Sequence, residues 1–315
     1  MTEKQMKTLR YHAYGEPLAV LNLETTTIPV PQANHIRIQV KACALNPADW
    51  ACCHGFVPHI LPRGIGTDVA GIVTGVGRQV TDVQPGDAVL GNVNFNDYTS
   101  AGAAEEAVLD HWAKIPQPLD FTEAAALPMA VTTAYAHLKA LDLHAGQTLV
   151  VHGAGSMIGY AAVQIARLNH VNVIATAGQT FAKQLEAFGA TVTSYGPGRV
   201  ERVLALANNQ VDAVLETASA SGALPDLIKM AGNHPDHVMT ISDHENAKKY
   251  GVRSTFSENI AFPYDEVLAK YAQLAAEGKF EIPIAQTFTI DDWQAAVTAS
   301  LTGHAHGKLV ILFAD

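Results

Sequence analysis

The run Leu149-Val150-Val151-His152-Gly153-Ala154-Gly155-Ser156-Met157-Ile158-Gly159-Tyr160-Ala161-Ala162 carries the strongest chemical signal in the sequence. An apolar strand runs into a glycine-rich turn, and the turn into an alanine-rich helix. Glycines let a backbone approach a diphosphate closely, and a helix N-terminus supplies N–H donors and positive potential. Gly159 lets the helix pack tightly on the strand. The candidate cofactor contacts are therefore Gly153, Ala154, Gly155, Ser156, Met157, Ile158 and Gly159. The spacing is G-x-G-x-x-x-G, one residue longer than the usual dinucleotide fingerprint. A tight strand-to-helix turn with no ligand is the competing reading.

Sites for NAD place an acidic residue about 20 residues further on, where it holds the ribose 2′-hydroxyl. Here that position reads Ala175-Thr176-Ala177-Gly178-Gln179-Thr180, without a carboxylate. Thr176, Ala177 and Gly178 leave room for a 2′-phosphate, with Lys183 and Tyr195 as its supports. The expected cofactor is therefore NADP(H), the alternative being that Lys183 and Tyr195 are plain surface residues. Other motifs carry less. Tyr135 and Lys139 match Y-x-x-x-K but precede the glycine turn, whereas the chemistry of that pair needs them after it. His234-Pro235-Asp236-His237 and His304-Ala305-His306 read as solvated loops, and no G-x-S-x-G, P-loop or H-E-x-x-H occurs.

Two regimes position these residues. From Leu9 to about Pro118, short alternating runs such as His35–Lys41 are broken by turns such as Gln84-Pro85-Gly86-Asp87, which predicts a small antiparallel β barrel or sandwich. After Asp120, Thr122 is the expected N-cap of an alanine-rich helix. Strands at 148–152, 172–176, 191–194, 213–216 and 238–241 then alternate with helices, which predicts a parallel, doubly wound sheet. The tail from Tyr264 reads helix, strand, helix (291–302) and a last strand, Lys308 to Phe313, able to return to the first domain.

The 315 residues carry 30 acidic and 20 basic side chains, a formal charge of -10, which argues against nucleic acid or an anionic membrane as partner. Three cysteines, Cys43, Cys52 and Cys53, make neither a disulfide framework nor a four-thiolate zinc site, and they point to a reducing cytoplasm. Met1–Gln5 has no apolar h-region, and no window reads as a membrane span. A soluble cytoplasmic protein is expected.

Several further blocks, in order, carry a family likeness: Ala44-Leu45-Asn46-Pro47-Ala48-Asp49-Trp50, Gly66-Thr67-Asp68-Val69-Ala70-Gly71, Gly86-Asp87-Ala88-Val89, Ala124–Pro128 with Thr133-Ala134-Tyr135, and Gly307-Lys308-Leu309-Val310. With the glycine turn, they resemble the medium-chain dehydrogenase/reductase superfamily, and within it the zinc-free NADPH:quinone oxidoreductase-like branch. The resemblance implies an α/β protein: a GroES-like β-barrel catalytic domain (1–120 and 264–315) and a Rossmann doubly wound parallel sheet (121–263). It also implies Asn46 and Thr133 near the nicotinamide, Ser156 to Gly159 on the diphosphate, Tyr195 near the adenosine phosphate, and Ile241, Ser242 and Lys308 around the nicotinamide and ribose. In zinc-dependent relatives a cysteine stands at the Asn46 slot and a histidine at the Thr67 slot. Three positions depart from the branch: Ser156 and Met157 replace two usual glycines, and Phe181 replaces a lysine that often binds the 2′-phosphate.

The implied chemistry is hydride transfer from NADPH to a quinone or an α,β-unsaturated carbonyl, without a metal. Asn46, Asp49 and Thr133 are the candidate catalytic residues, although for Asp49 capping or packing within the barrel is the favoured reading over a helper role. The rival reading is an NADPH-binding redox sensor or structural protein with negligible turnover, and Ser156 and Met157 are its support. A zinc alcohol dehydrogenase is disfavoured by Asn46 and Thr67. The acceptor is expected among the loops Phe56–Ile65, Asn92–Gly102 and Lys248–Phe262, and a homodimer at the sheet edge near Val252–Ser257.

Overall fold

The computed structural model describes residues 4–56, 60–93, 101–219 and 221–314. The chain first forms β1 (Gln5–Tyr11), a one-turn α1 (Pro17–Val20), β2 (Leu21–Thr27), β3 (Ile36–Ala44), α2 (Pro47–Cys53), β4 (Arg63–Gly64), β5 (Asp68–Val76), β6 (Ala88–Asn92), β7 (Glu106–Leu109) and β8 (His111–Lys114). Alternation sets the faces. Ile36, Ile38 and Val40 of β3 are fully buried, while Arg37, Gln39 and Lys41 between them keep partial exposure.

Two helices follow, α3 (Phe121–Ala126) and α4 (Pro128–Leu141). The α3 cap is Asp120, not Thr122: the Glu123 N–H donates to Asp120 at 2.8 Å, and the Asp120 N–H donates to Glu123 at 3.2 Å. The reciprocal pair prevails because it satisfies two open N–H groups of the first turn instead of one.

Strand and helix then alternate: β9 (Thr148–His152), α5 (Met157–Leu168), β10 (Asn172–Thr176), α6 (Ala182–Ala187), β11 (Thr191–Thr193), α7 (Arg199–Leu206), β12 (Ala213–Glu216), α8 (Leu224–Met230), β13 (Val238–Thr240), α9 (His244–Tyr250) and β14 (Arg253–Ser254). Every pairing among these strands is parallel, in the order β11-β10-β9-β12-β13-β14. That is the doubly wound arrangement, with the winding reversing between β9 and β12, the point where such sheets bind ligands.

The tail supplies α10 (Tyr264–Ala276), β15 (Ile284–Thr289), α11 (Trp293–Leu301) and β16 (Lys308–Leu312). β16 pairs antiparallel with β3, so the last strand returns to the first sheet, whose order is β15-β16-β3-β5-β6-β8, with β7 also on β3. The chain divides into two units, Met1–Met129 with Tyr264–Asp315, and Ala130–Pro263. The stretch 121–129 goes with the first unit, although the sequence reading begins the second domain at residue 121. The reason is burial: Ala124, Ala125 and Ala126 are closed off and α3 packs on β3 and β5.

On one face of the parallel sheet, Val150, Ile174, Val214 and Val238 pack with Val203, Leu224 and Leu227 of the covering helices. Two residues further along each strand the same face turns polar. Thr176, His152, Glu216 and Thr240 are neighbours in register, and all are buried. His152 Nδ1 and Thr176 Oγ1 are 2.7 Å apart. Burial, reinforced by Arg199, lowers His152 from 6.5 to about 4, while burial raises Glu216. Between those two pH values the unfolded chain binds the His152 proton and the folded chain does not, so stability falls as pH drops from 6.5 to 4, by at most about 3 kcal/mol. Glu216 acts in the opposite sense. His152→Gln is expected to remove this acid slope in urea unfolding measured across that range; an unchanged slope would refute the assignment.

Candidate functional site

The turn between β9 and α5 is shaped by two glycines that the fold itself demands. Gly153 has φ +82°, and a Cβ on it would lie 2.6 Å from Ala218 N. A Cβ on Gly159 would overlap Thr217 Oγ1 and lie 2.6 Å from Gly153 O. Gly155 is different: the nearest atom to its Cβ position is Phe181 Cδ2 at 4.0 Å, so the backbone there faces open space. Ser156 is the N-cap of α5, its Oγ accepting the Gly159 N–H at 3.0 Å. The Met157 and Ile158 amides have no acceptor among the described residues. Two open N–H groups on the first turn of a 12-residue helix, beside an open glycine, fit a diphosphate.

Hydrogen bonds between strand ends hold the turn in place. Thr217 Oγ1 donates to His152 O at 3.0 Å and Gly153 O at 2.9 Å. Ser242 Oγ donates to Ala218 O, and the Ile241 N–H donates to Glu216 O at 3.2 Å. Thr217 escaped the sequence reading, which stopped at the end of strand 213–216. Thr176 lies beneath the turn with its hydroxyl engaged by His152, which leaves Ala177 and Gly178 as the exit from β10. Beside Gly178 stands Tyr195, 3.8 Å from where a Cβ would be. Phe181 is a core residue set edge-on to Tyr160 at 5.2 Å, so burial accounts for an aromatic ring where a lysine was looked for. Lys183 is exposed and forms no ion pair among the described residues. Thr133 lies on α4, its carbonyl accepting His137 Nδ1–H at 2.7 Å. A carbonyl only accepts, so Nδ1 carries the proton and Nε2 takes the Thr255 hydroxyl at 2.8 Å. Burial holds His137 below its usual range.

The first unit concentrates its buried polar side chains at one strand end. Asp68 opens β5, Asn92 closes β6, Asn46 follows β3 and Lys308 opens β16, with none more than 4% exposed. Asp68 Oδ1 accepts from Asn92 Nδ2 at 3.0 Å and the Met129 N–H at 3.1 Å. Its Oδ2 accepts from Asn46 Nδ2 at 3.0 Å and Lys308 Nζ at 3.1 Å, and Lys308 also donates to Asn46 Oδ1 at 2.5 Å. Asp49 accepts the Asn46 and Gly66 N–H groups, both at 2.8 Å, and burial raises its carboxyl to about 6. Asn46, expected to orient a nicotinamide, thus has both ends of its amide engaged inside this network. Asp68 and Asn92 were not singled out in the sequence, because nothing local marks a carboxylate and an amide 24 residues apart as partners. Cys43, Cys52 and Cys53 are buried and free, and burial pushes Cys52 to about 11 and Cys53 to about 12, which keeps both as thiols. Of the expected acceptor loops, residues 57–59 and 94–100 lie outside the described residues.

The sequence matches the alcohol dehydrogenase GroES-like domain family over residues 32–117 and the zinc-binding dehydrogenase family over residues 188–311. It is 30% identical to the chloroplast envelope quinone oxidoreductase homolog of Arabidopsis thaliana across 99% of both chains. Over 56% of this chain and 54% of the other it is 33% identical to the human quinone oxidoreductase. The structure of the quinone oxidoreductase from Coxiella burnetii superposes with a TM-score of 0.82 at 27% identity, covering 99% of this chain and 100% of that one. The chain belongs to the medium-chain dehydrogenase/reductase superfamily, in its quinone oxidoreductase-like branch.

As a member of that superfamily it is an oxidoreductase, and the family implies a nicotinamide cofactor, which the α5 turn fits. Its antiparallel unit is the GroES-like domain and its parallel sheet the Rossmann-like domain. A catalytic zinc finds no ready ligand set among the described residues. Among the described residues no group of three or more His, Cys, Asp or Glu could hold a metal, and a lysine ammonium already lies against the oxygens of Asn46 and Asp68. Removing that ammonium leaves Asp68 a buried, uncompensated charge. Lys308→Met is expected to destabilise this reductase by roughly 3–5 kcal/mol. In urea unfolding, Asp68→Asn combined with Lys308→Met should lose less than the sum of the single changes; strict additivity would mean that the pair is not coupled.

Proposed function

We propose that this chain is a zinc-independent NADPH-dependent reductase of quinones and α,β-unsaturated carbonyls. The observation that carries the reading is the α5 turn at the point where the sheet winding reverses, with open Met157 and Ile158 amides and no carboxylate after β10. Those amides bind the diphosphate, while Ala177, Gly178 and Tyr195 border the adenosine ribose. Lys183, exposed and without an ion pair among the described residues, meets the 2′-phosphate. A bound reduced nicotinamide supplies a hydride, which is two electrons and one proton. Water supplies the acceptor's second proton, so no dedicated side-chain acid is required. Thr133, whose hydroxyl makes no hydrogen bond among the described residues, orients the nicotinamide.

The relatives' names support a quinone as acceptor. Three buried thiols suit a reducing compartment such as the cytoplasm, and no described helix is long and apolar enough to cross a membrane. β14 ends the parallel sheet, and a homodimer would form along that edge. Met157, half-buried at the first position of α5, is what favours the rival reading of an NADPH-binding sensor with negligible turnover.

A fluorescence titration with NADPH and NADH, followed by 9,10-phenanthrenequinone in the same cuvette, tests the proposal. NADPH-selective binding with oxidation on quinone addition is the expected result. Selective binding without oxidation of any quinone or enal in a panel would favour the sensor. Failure to bind either nucleotide would refute both.

A further inference from the structure

Tyr195 borders the adenosine end of the proposed cofactor, yet it is 62% exposed and makes no hydrogen bond of its own among the described residues. It lies in the loop 194–198 between β11 and α7, where Gly196 has φ +99° and Gly198 φ +74°. Gly198 is the N-cap of α7 and has no side chain with which to cap it. Such a loop presents a ring in one place only if a group outside it does the holding. Arg202 is that group. Its Nη1 donates to Pro197 O at 2.8 Å and its Nη2 to Ser194 O at 3.0 Å, so one guanidinium bridges carbonyls on either side of Tyr195.

Arg202 is itself firmly placed. Val203, the next residue on α7, is fully buried in the core of this unit. Arg199, three residues earlier, pairs with Asp226 of α8 through Nε and Nη2, both at 3.0 Å. The brace therefore ties a loop to a packed helix. Arg202 Nε is buried with no hydrogen-bond partner, and no carboxylate pairs with the guanidinium among the described residues. An arginine kept only for its charge extends its head into water, where every N–H is hydrated. Gly198 assists the close approach, since a Cβ there would lie 3.0 Å from Arg202 Nη1. The planar guanidinium directs its N–H groups as a fixed fork, which an ammonium on a flexible stem does not offer. Toward β10, the Ala177 N–H donates to Thr193 O at 3.0 Å, and the Tyr195 hydroxyl lies 3.8 Å from the Cβ position of Gly178. The exit of β10 and the braced loop thus converge.

We propose that Arg202 is a positioning residue for cofactor selection: it holds the 194–198 loop so that the Tyr195 hydroxyl stands ready, beside Gly178, for the 2′-phosphate of NADPH. The inference rests on the NADPH reading above, and every residue it uses belongs to the Ala130–Pro263 unit. A tyrosine already in place binds the phosphate without the entropy loss of ordering its loop. That advantage falls only on a nucleotide that carries the 2′-phosphate. Arg202 acts through Tyr195 and needs no contact with the nucleotide.

Titrating the full chain with 2′,5′-ADP and with 5′-AMP separates the 2′-phosphate from the rest of the adenosine end. The wild type is expected to favour 2′,5′-ADP. Arg202→Met should weaken 2′,5′-ADP binding by about tenfold, the scale of ordering a side chain and its loop on binding, and leave 5′-AMP as in the wild type. Arg202→Lys, which keeps the charge and loses the fork, should behave like Arg202→Met. In a Tyr195→Ala background, itself weak for 2′,5′-ADP, Arg202→Met should add little, because the two residues act in series. A role in folding alone gives another pattern: both nucleotides weaken together, and the two substitutions add. That pattern overturns the inference. So does a 2′,5′-ADP affinity of Arg202→Met within about threefold of the wild type, or a wild-type preference kept by Arg202→Lys. Each of these leaves the reductase reading intact. A wild type that binds the two nucleotides equally would overturn the NADPH reading and this inference with it. If Arg202→Met fails to fold, Arg202→Lys decides alone: a lost preference upholds the proposal, and a kept one overturns it.

Discussion

The Asp68 carboxylate accepts four hydrogen bonds, and each donor comes from a different segment: Asn46 after β3, Asn92 at the end of β6, Met129 at the start of α4 and Lys308 at the start of β16. A fully buried carboxylate is tolerable only when its lone pairs are filled and its charge is balanced. Here both conditions are met by residues that span almost the whole length of the first unit's sequence. The same contacts fix register. Lys308 must open β16 at the level of Asn46 for its ammonium to reach both oxygens, and this sets the last strand against β3. Asp49, holding the Asn46 and Gly66 amides, ties α2 and the approach to β5 to the same point. The network is the fastening of the sheet, built from polar side chains that are all buried.

In the parallel sheet the equivalent fastening is shared among strand ends. Thr176, His152, Glu216 and Thr240 form a polar layer above an apolar one, and Thr217 and Ser242 extend it to the backbone of the glycine turn. They hold Gly153 and Ala218 so that the first turn of α5 presents its amides without further rearrangement, which is what preorganised anion binding requires. The neutral state of His152 belongs to this arrangement, since a protonated imidazole in that layer would have to be desolvated beside Arg199.

Much of this was legible in the sequence because it is local. The strand-turn-helix pattern at 149–162 and the alternation after residue 120 depend on neighbours a few positions apart, and the parallel sheet follows from them. The returning strand at Lys308 was legible as well. What local pattern could not reveal was the use of long-range partners. That Lys308, 262 residues away, engages the amide oxygen of Asn46 had no local signal. The cap fell at Asp120 instead of Thr122 because Glu123 could reciprocate, a competition between two acceptable caps that propensity does not decide. Phe181 read as a missing cation until Tyr160 and Phe188 supplied the apolar setting that explains it.

A metal-centred reductase polarises its substrate with a Lewis acid, which can activate even a poorly electrophilic carbonyl. In this chain the available positive charge is an ammonium held against Asp68 and Asn46, and the available donors are single N–H and O–H groups. Such groups stabilise a developing oxyanion by preorganisation, and their effect is smaller than that of a divalent ion in the same place. They suffice when the acceptor itself disperses the charge. A quinone spreads it over a ring that becomes aromatic on reduction, and an enone spreads it over a conjugated oxygen; a saturated ketone does neither. A reductase that works with such groups is on chemical grounds best matched to conjugated acceptors, which agrees with the proposed function. The ammonium of Lys308 balances the buried Asp68 carboxylate, so any change to it bears first on the fastening of the fold.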